Sequence, residues 1–242
     1  METYGIIIAR GGSKRIPGKN VKMLCGKPLI AWTIEEAKKV PGMSRIIVST
    51  DDEEIVRVSK EYGAEVPFMR PSELAQDSTP DLPVFLHVLE WLQENEGAIP
   101  DCVAHLRSTG PMRLAEDMER GIQLLAAHPE YDSVRAVIPS PLHPLKIYRL
   151  EGDTLLPYIP DNVSGLHEPY NLPVQSLPKA YASAGYFSAI RSSTLLEQNS
   201  MTGEKILGYV CSAENATDID TPFDFLIAET RMKERIESET TS

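Results

Sequence analysis

The sequence has few cysteines and none of the spacings typical of a disulfide framework or a zinc site. Cys25, Cys102 and Cys211 lie far apart, and none belongs to a CxxC pair or a Cys/His cluster. Dispersed thiols in odd number are typical of a protein in a reducing compartment. We therefore expect a cytoplasmic protein stabilised by its apolar core.

Long hydrophobic runs are also missing. The first apolar run, residues 6–9, is too short for a signal peptide or a membrane span, and no basic segment precedes it. We expect no membrane association.

Basic residues are scarce relative to acidic ones, with 24 Lys and Arg against 35 Asp and Glu and a formal net charge of −11. Affinity for nucleic-acid backbones comes from clustered basic residues, so we expect no nucleic-acid partner. One small basic pocket for an anionic ligand remains compatible with this charge. The 242 residues, 42% apolar and 24% charged, predict a single globular domain over residues 1–242.

Short β-branched runs alternate with longer segments of helical periodicity along the first half of the chain. This alternation predicts an α/β fold, in which helices flank a mostly parallel sheet. Two more strands and a helix follow in the second half. The predicted strands are 4–9, 45–49, 103–106, 134–138, 186–190 and 206–210, and the predicted helices are 30–39, 53–62, 84–92, 114–127 and one beginning with 222–229.

The alternation stops after Ile138. Eight of the 19 prolines lie within residues 139–178, and proline is unsuited to central strands and long helices. We interpret residues 139–180 as an excursion from the domain that covers a site or contacts a second subunit. The alternative is a solvated irregular loop, although the apolar and aromatic residues of this segment would be costly to expose.

A glycine-rich basic turn directly follows the first predicted strand. Gly11 and Gly12 allow the backbone to approach an anion, and four cations lie between Arg10 and Lys19. Ligands of open parallel sheets bind beyond the carboxyl ends of strands, so this turn is suited to a polyphosphate. It matches neither a Walker A loop nor a G-x-G-x-x-G motif. The alternative is a solvated surface turn.

Two aspartates near the end of the chain, Asp218 and Asp220, are spaced to face the same side of an extended segment. Magnesium is often bound by one or two carboxylates together with substrate phosphates. The alternative is that one of the two caps the helix beginning near Pro222.

Several short motifs occur in order along nearly the whole chain: IIARGGSKRIPGKN at 7–20, GKPLI at 26–30, STD at 49–51, MRPSELAQD at 69–77 and DIDTPFDF at 218–225. Together they resemble the acylneuraminate cytidylyltransferase family, the CMP–sialic acid synthetases and their relatives for other nine-carbon (nonulosonic) sugar acids. The resemblance implies a Rossmann-like nucleotidyltransferase fold and a homodimer in which the excursion meets the partner. It also implies an enzyme of polysaccharide biosynthesis that converts CTP and a 2-keto sugar acid to a CMP-sugar acid and pyrophosphate.

The same resemblance assigns roles to individual residues. Arg10, Lys19, Asp218 and Asp220 would be catalytic, and the two aspartates would bind Mg²⁺. Fixed cations such as Arg10 and Lys19 would counter the charge that develops on the nucleotide and on departing pyrophosphate. The implied nucleotide-binding set is Ala9, Arg10, Gly11, Gly12, Ser13, Lys14, Lys19, Asn20, Arg70, Asp77, Thr79 and Asp81.

Departures from the family pattern fall on the acceptor side. Arg107 stands at the usual acceptor-contacting glutamine, Val174 at the usual acceptor arginine and Ala184 at the usual asparagine. We therefore expect an acceptor other than plain sialic acid, with Arg107 supplying the missing cation through its fork of donors. The alternative for Arg107 is a salt bridge at the rim. The candidate acceptor-binding residues are Arg107, Ser108, Thr109, His143, Lys146, Gln175 and Tyr186.

Two other functions remain open at this point. The acceptor could be an eight-carbon sugar acid or a phosphonate instead of a nine-carbon sugar acid. The chain could also be a catalytically silent nucleotide-binding regulator, although the retained aspartate pair argues against this. No general base is assigned.

Overall fold

The computed structural model describes residues 1–241 and is built around a six-stranded sheet. In this part of the chain the strands are β1 (Thr3–Ile8), β2 (Met23–Leu24), β3 (Lys27–Pro28), β4 (Met43–Ser49), β5 (Cys102–Leu106), β6 (Ser133–Pro139), β7 (Tyr148–Glu151), β8 (Thr154–Pro157), β9 (Tyr181–Arg191) and β10 (Ile206–Val210). The α-helices are α1 (Leu29–Lys38), α2 (Glu53–Glu61), α3 (Asp81–Glu96), α4 (Ala115–Ala127), α5 (Asp161–Ser164), α6 (Ser192–Leu196) and α7 (Pro222–Thr241).

The strands of the central sheet lie in the order β10-β6-β9-β5-β1-β4. Strand β1 pairs in parallel with β4 and β5, and β6 pairs in parallel with β10. Strand β9 lies between β5 and β6 and is antiparallel to both. The mostly parallel sheet predicted from the sequence is therefore confirmed, with one reversed strand.

The central strands are buried on both faces, as the short β-branched runs predict. Successive residues of a strand point to opposite faces, and Ile6 and Ile7 accordingly join two different core clusters. Helices α1, α2 and α4 cover one face, and α3 and α6 cover the other. The carboxyl ends of β1 and β4 remain uncovered, and the loops that follow them form the candidate site.

A third, smaller core lies beneath those loops and includes residues from four separate parts of the chain. Ile16 of the glycine-rich turn packs here with Met112, Ile219 and the α7 residue Phe225. Full burial of one such aliphatic side chain stabilises by about 1.5–3 kcal/mol. This core therefore holds the glycine-rich turn, the segment after β5 and the aspartate-bearing segment against α7.

The excursion at residues 139–180 contributes no central strand, as its prolines predict. It contains the antiparallel hairpin β7–β8, the single-turn helix α5 and three short 3₁₀ turns. Leu150, Leu155 and Tyr158 of this segment are 69%, 59% and 66% exposed. Among residues 1–241, no helix is both long enough and apolar enough to span a membrane.

Candidate active site

The glycine-rich turn leaves the sheet at the end of β1 and is fixed against the end of β4. The Gly11 amide donates to Asp51 Oδ1 at 3.0 Å, and the Ala9 amide donates to the Ser49 carbonyl at 3.0 Å. A Cβ on Gly11 would overlap the Asp52 side chain, whereas one on Gly12 would meet nothing within 4 Å. The two glycines thus differ, because Gly11 allows the turn to pack while Gly12 borders open space.

Lys19 joins this turn to the aspartate-bearing segment. Its ammonium donates to the Ile219 carbonyl at 2.7 Å and lies 3.7 Å from Asp220 Oδ1. Arg15 Nη1 lies 4.0 Å from the other oxygen of Asp220. Burial lowers the pKa of Lys19 below its usual value, while the neighbouring carboxylates of Asp220 and Asp218 oppose that shift. Residues 200 positions apart therefore share one cleft.

Asp218 and Asp220 lie on an extended segment and alternate with a buried residue, as their spacing predicts. Both aspartates are exposed, Ile219 between them is fully buried, and its amide donates to the Thr109 carbonyl at 2.9 Å. The start of α7 is capped instead by Thr221 and Asp224. The Thr221 amide donates to Asp224 Oδ2 at 2.7 Å, and the Asp224 amide donates to Thr221 Oγ1 at 3.2 Å.

The aspartate pair fits magnesium by its chemistry. Mg²⁺ prefers oxygen ligands and commonly takes one or two carboxylates, with substrate phosphates and waters completing its shell. Residues 1–241 contain no cluster of three or more metal-ligating side chains. A bound cation at Asp218 and Asp220 would therefore need oxygens from a ligand such as a polyphosphate.

Asp77 closes the other side of the cleft. Its carboxylate forms ion pairs with both Arg10 and Lys14. Hydrogen bonds from Lys14, which has the larger effect, and from Arg10 hold the pKa of the Asp77 carboxyl below its usual value. The resulting cavity, about 300 Å³ in volume, is lined by Arg10, Ser13, Lys14, Arg15, Lys19, Asp77 and Asp220.

Arg70 lies below this cavity and contacts the backbone. Its Nη2 donates to the Ser49 carbonyl, and its own amide donates to the Thr50 carbonyl at 2.7 Å. Burial lowers the pKa of the Arg70 guanidinium below its usual value, and the nearby Asp51 carboxylate opposes that shift. Thr79 Oγ1 donates to the Glu73 carbonyl at 3.2 Å. Arg70 and Thr79 therefore both shape the loop that carries Asp77.

Asn20 and Ser108 are buried, and they join the glycine-rich turn to the segment after β5. Ser108 Oγ donates to Asn20 Oδ1 at 2.7 Å, and Asn20 Nδ2 donates to the Arg10 carbonyl at 2.9 Å. Sequence reasoning assigned Asn20 to the nucleotide and Ser108 to the acceptor. The structure places them beneath the cleft, because both ends of the Asn20 amide are satisfied within the chain.

On the acceptor side, Arg107 forms the salt bridge that was its alternative interpretation. Its Nη2 lies 2.9 Å from Oδ2 of Asp81, in the first turn of α3, so this nucleotide-binding candidate is paired within the chain. Tyr186 is buried, and its hydroxyl donates to Asp117 Oδ2 at 2.8 Å, so its side chain does not reach the exposed cleft. Thr109 contributes its backbone carbonyl to Ile219.

The remaining acceptor candidates lie in the excursion. His143 Nε2 lies 2.9 Å from the Pro178 carbonyl, and Lys146 donates to the carbonyls of Tyr170 and Leu172 at 3.0 and 2.7 Å. These contacts hold the excursion together. Gln175 is exposed in a 3₁₀ turn.

Sequence reasoning missed Arg113, the largest fully buried side chain of the described residues. Because arginine side chains are mostly exposed, the sequence alone predicts a surface position for Arg113.

Comparisons with known proteins agree with this geometry. A pseudaminic acid cytidylyltransferase of Campylobacter jejuni is 34% identical over 248 residues, covering 98% of this chain and 99% of the relative. A CMP-N,N'-diacetyllegionaminic acid synthase of Legionella pneumophila is 30% identical over 236 residues, covering 96% and 97%. The solved structure of a CMP:2-keto-3-deoxy-manno-octonic acid synthetase complexed with CTP shares the fold, with a TM-score of 0.70, 16% identity and 97% and 100% coverage.

The family model described as cytidylyltransferase matches residues 4–141, more than half of the chain. The matched part contains β1, the glycine-rich turn and the segment after β5. This match and the relatives confirm the resemblance found in the sequence motifs. The chain therefore belongs to the cytidylyltransferase family and is a nucleotidyltransferase.

Proposed function

We propose that this enzyme transfers the cytidylyl group of CTP to a nine-carbon 2-keto sugar acid, releasing pyrophosphate. The observation that carries the proposal is the cleft in which Arg10, Lys14 and Lys19 face Asp220. A cluster of cations beside an exposed carboxylate pair suits a triphosphate with its divalent ion. The relatives that span nearly the whole chain are named for nine-carbon acceptors, which supports this class of substrate.

In the proposed reaction, the anomeric hydroxyl oxygen of the acceptor bonds to the α-phosphorus of CTP, and the hydroxyl proton passes to solvent. The bond from the α-phosphorus to the bridging oxygen breaks, and pyrophosphate leaves with that oxygen. Arg10 and Lys19 hold the phosphates and offset the charge that grows on the leaving group. Asp218 and Asp220 would hold Mg²⁺, which when bound neutralises phosphate charge and acidifies a coordinated hydroxyl.

Acceptor recognition is proposed to use Arg107. The family's acceptor arginine corresponds to Val174, which is 57% exposed and cannot bind a carboxylate ionically. Arg107 is exposed, and its guanidinium pairs with Asp81, so an acceptor carboxylate would have to share or displace that partner. We expect Arg107→Ala to raise the acceptor KM at least tenfold with little change in the CTP KM, since a charge-assisted pair contributes about 1.5–3 kcal/mol. An unchanged acceptor KM would remove Arg107 from the acceptor site.

The proposed homodimer uses the excursion. Its hairpin exposes Leu150 and Leu155, and Tyr158 follows, so a second copy of the chain would remove these side chains from water. Light scattering of the wild type and of Leu150→Glu tests this. A dimer that Leu150→Glu dissociates supports the proposal, and a monomeric wild type contradicts it.

One experiment tests the activity itself. Pyrophosphate release is measured with CTP, UTP, ATP and GTP, each combined with sialic, legionaminic, pseudaminic and eight-carbon 2-keto acids. We expect turnover with CTP and a nine-carbon acid. Turnover with only the eight-carbon acid would change the acceptor class, and CTP binding without any turnover would favour a silent regulator.

A further inference from the structure

The segment after β5, residues 107–113, connects three parts of the candidate site. Ser108 bonds the side chain of Asn20 and so reaches the glycine-rich turn. The Thr109 carbonyl accepts the Ile219 amide at 2.9 Å, between the two aspartates. Arg107 pairs with Asp81 at the start of α3. A movement of this connecting segment would therefore move the phosphate-binding cations and the metal-binding carboxylates relative to each other.

The Arg113 side chain hydrogen-bonds two backbone carbonyls of the connecting segment. Its Nε donates to the Gly110 carbonyl at 3.0 Å, and its Nη2 donates to the Arg107 carbonyl. Its guanidinium lies 6.0 Å from the centroid of the Tyr186 ring, and a Cβ on Gly110 would overlap the Cβ of the same tyrosine. The fork of Arg113 thus closes residues 107–113 into a fixed turn against β9.

Burying the charged side chain of Arg113 at this position costs free energy. Arg113 is 0% exposed, and its Nη1 has no hydrogen-bond partner among residues 1–241. Burial of a charge is unfavourable unless it is fully paired, and a buried polar atom without a partner calls for an explanation. Burial lowers the pKa of Arg113 to about 9. Its hydrogen bonds to the Gly110 and Arg107 carbonyls are the contacts that compensate for the buried charge.

We infer that Arg113 is a positioning residue that couples the triphosphate-binding cations to the Asp218–Asp220 carboxylates through residues 107–110. It touches neither nucleotide nor acceptor. By fixing residues 107–110, it positions the Thr109 carbonyl that accepts the Ile219 amide and the Ser108 hydroxyl that binds Asn20. The inference rests on the proposed function only in the identity of the ligand, because the internal contacts exist without it.

The first test measures coupling in the free protein. Hydrogen–deuterium exchange of the Ile219 amide and of the Asn20 region is compared for wild type, Arg113→Lys and Arg113→Met. Lysine retains the charge but cannot reach both carbonyls, whereas methionine removes the charge and keeps the bulk. We expect exchange at Ile219 to accelerate at least tenfold in both variants while strands β6 and β10 stay protected.

The second test measures coupling to ligand. CTP affinity is determined calorimetrically with and without Mg²⁺, which requires no turnover. We expect Mg²⁺ to improve CTP affinity in the wild type, and this improvement to fall about tenfold in Arg113→Met. The Mg²⁺-free affinity should change less than threefold. Arg113→Lys should retain part of the improvement, because lysine keeps the positive charge and a hydrogen-bond donor.

Arg191 provides the matched control. Its guanidinium also holds backbone carbonyls, those of Tyr131 at 2.8 Å and Leu125 at 2.9 Å, at the far end of β9. Arg191→Lys should lower the melting temperature and leave the effect of Mg²⁺ on CTP affinity unchanged.

The other possible results would overturn either the inference about Arg113 or the proposed function. Folded Arg113 variants with normal exchange at Ile219 and a normal Mg²⁺ effect would overturn the inference, as would failure of both variants to fold, which would make Arg113 a stability residue. A wild type that binds no CTP would refute the proposed function, and exchange at Ile219 would still decide the role of Arg113.

Discussion

The hydrogen bond between Ser108 and Asn20 offers the sharpest test of how the cleft is assembled. Both side chains are buried, with 4% and 6% exposure, and they join two loops 88 positions apart in sequence. Ser108→Ala removes the donor and leaves Asn20 Oδ1 buried without a partner. A buried acceptor stranded in this way costs about 1–3 kcal/mol.

The expected shift follows from the chain length. In a domain of this size each kcal/mol lowers the melting temperature by about 2–4 °C, so Ser108→Ala should melt roughly 2–12 °C below wild type. Ser176→Ala is the matched control, because the Ser176 hydroxyl bonds the Pro173 carbonyl at an exposed turn. That control should change the free energy of unfolding by about 0.5 kcal/mol or less.

A double-mutant cycle isolates the bond itself. Urea unfolding of Ser108→Ala, Asn20→Ala and the double variant yields the coupling free energy. We expect about 1 kcal/mol, since the double variant no longer strands the buried acceptor. Strictly additive losses, or a Ser108→Ala variant as stable as Ser176→Ala, would refute the proposed linkage of the two loops.

Other predictions concern the charges of the cleft. Asp77→Asn should tighten binding of inorganic pyrophosphate about threefold, because Arg10 and Lys14 no longer pair with an internal carboxylate; weaker binding by calorimetry would contradict this. Lys19→Gln should lower kcat for pyrophosphate release about 100-fold, and an unchanged kcat would exclude Lys19 from transition-state stabilisation. Because burial lowers the pKa of Lys19, its positive charge is present below that pKa and is lost as pH rises through a value under 10.5. Activity should therefore fall on the alkaline side, and Lys19→Arg should move that fall to higher pH; coincident profiles would contradict the assignment.

Much of the fold was predictable because its signals are local. The β-branched runs at β1, β4 and β5 are buried on both faces, and such strands are recognisable by composition alone. The direction of β9 was not predictable. Its local pattern is the same in either orientation, and its place between β5 and β6 depends on the path of the whole excursion. The short strands β2 and β3 and the five-residue helix α6 carry too few residues for a periodic signal.

In the candidate site, too, local features were predictable from the sequence and contacts between distant segments were not. The glycine-rich turn and the alternation around Ile219 are local features, and both were predicted. The family resemblance assigned Lys19 and the two aspartates to one site, but the contact of Lys19 with the Ile219 carbonyl, 200 positions away, was not predicted. The pairing of Arg107 with Asp81 and the burial of Asn20, Ser108 and Tyr186 depend on packing between distant segments, which no spacing rule reports.

The most direct test of the central claim is a crystal structure with CTP and Mg²⁺. The expected arrangement has the triphosphate in the cavity beside Gly12, with Arg10 and Lys19 at hydrogen-bonding distance from its oxygens and a cation between the phosphates and the carboxylates of Asp218 and Asp220. A triphosphate bound elsewhere, or one bound in the cavity while both carboxylates remain free of cation and phosphate, would contradict it.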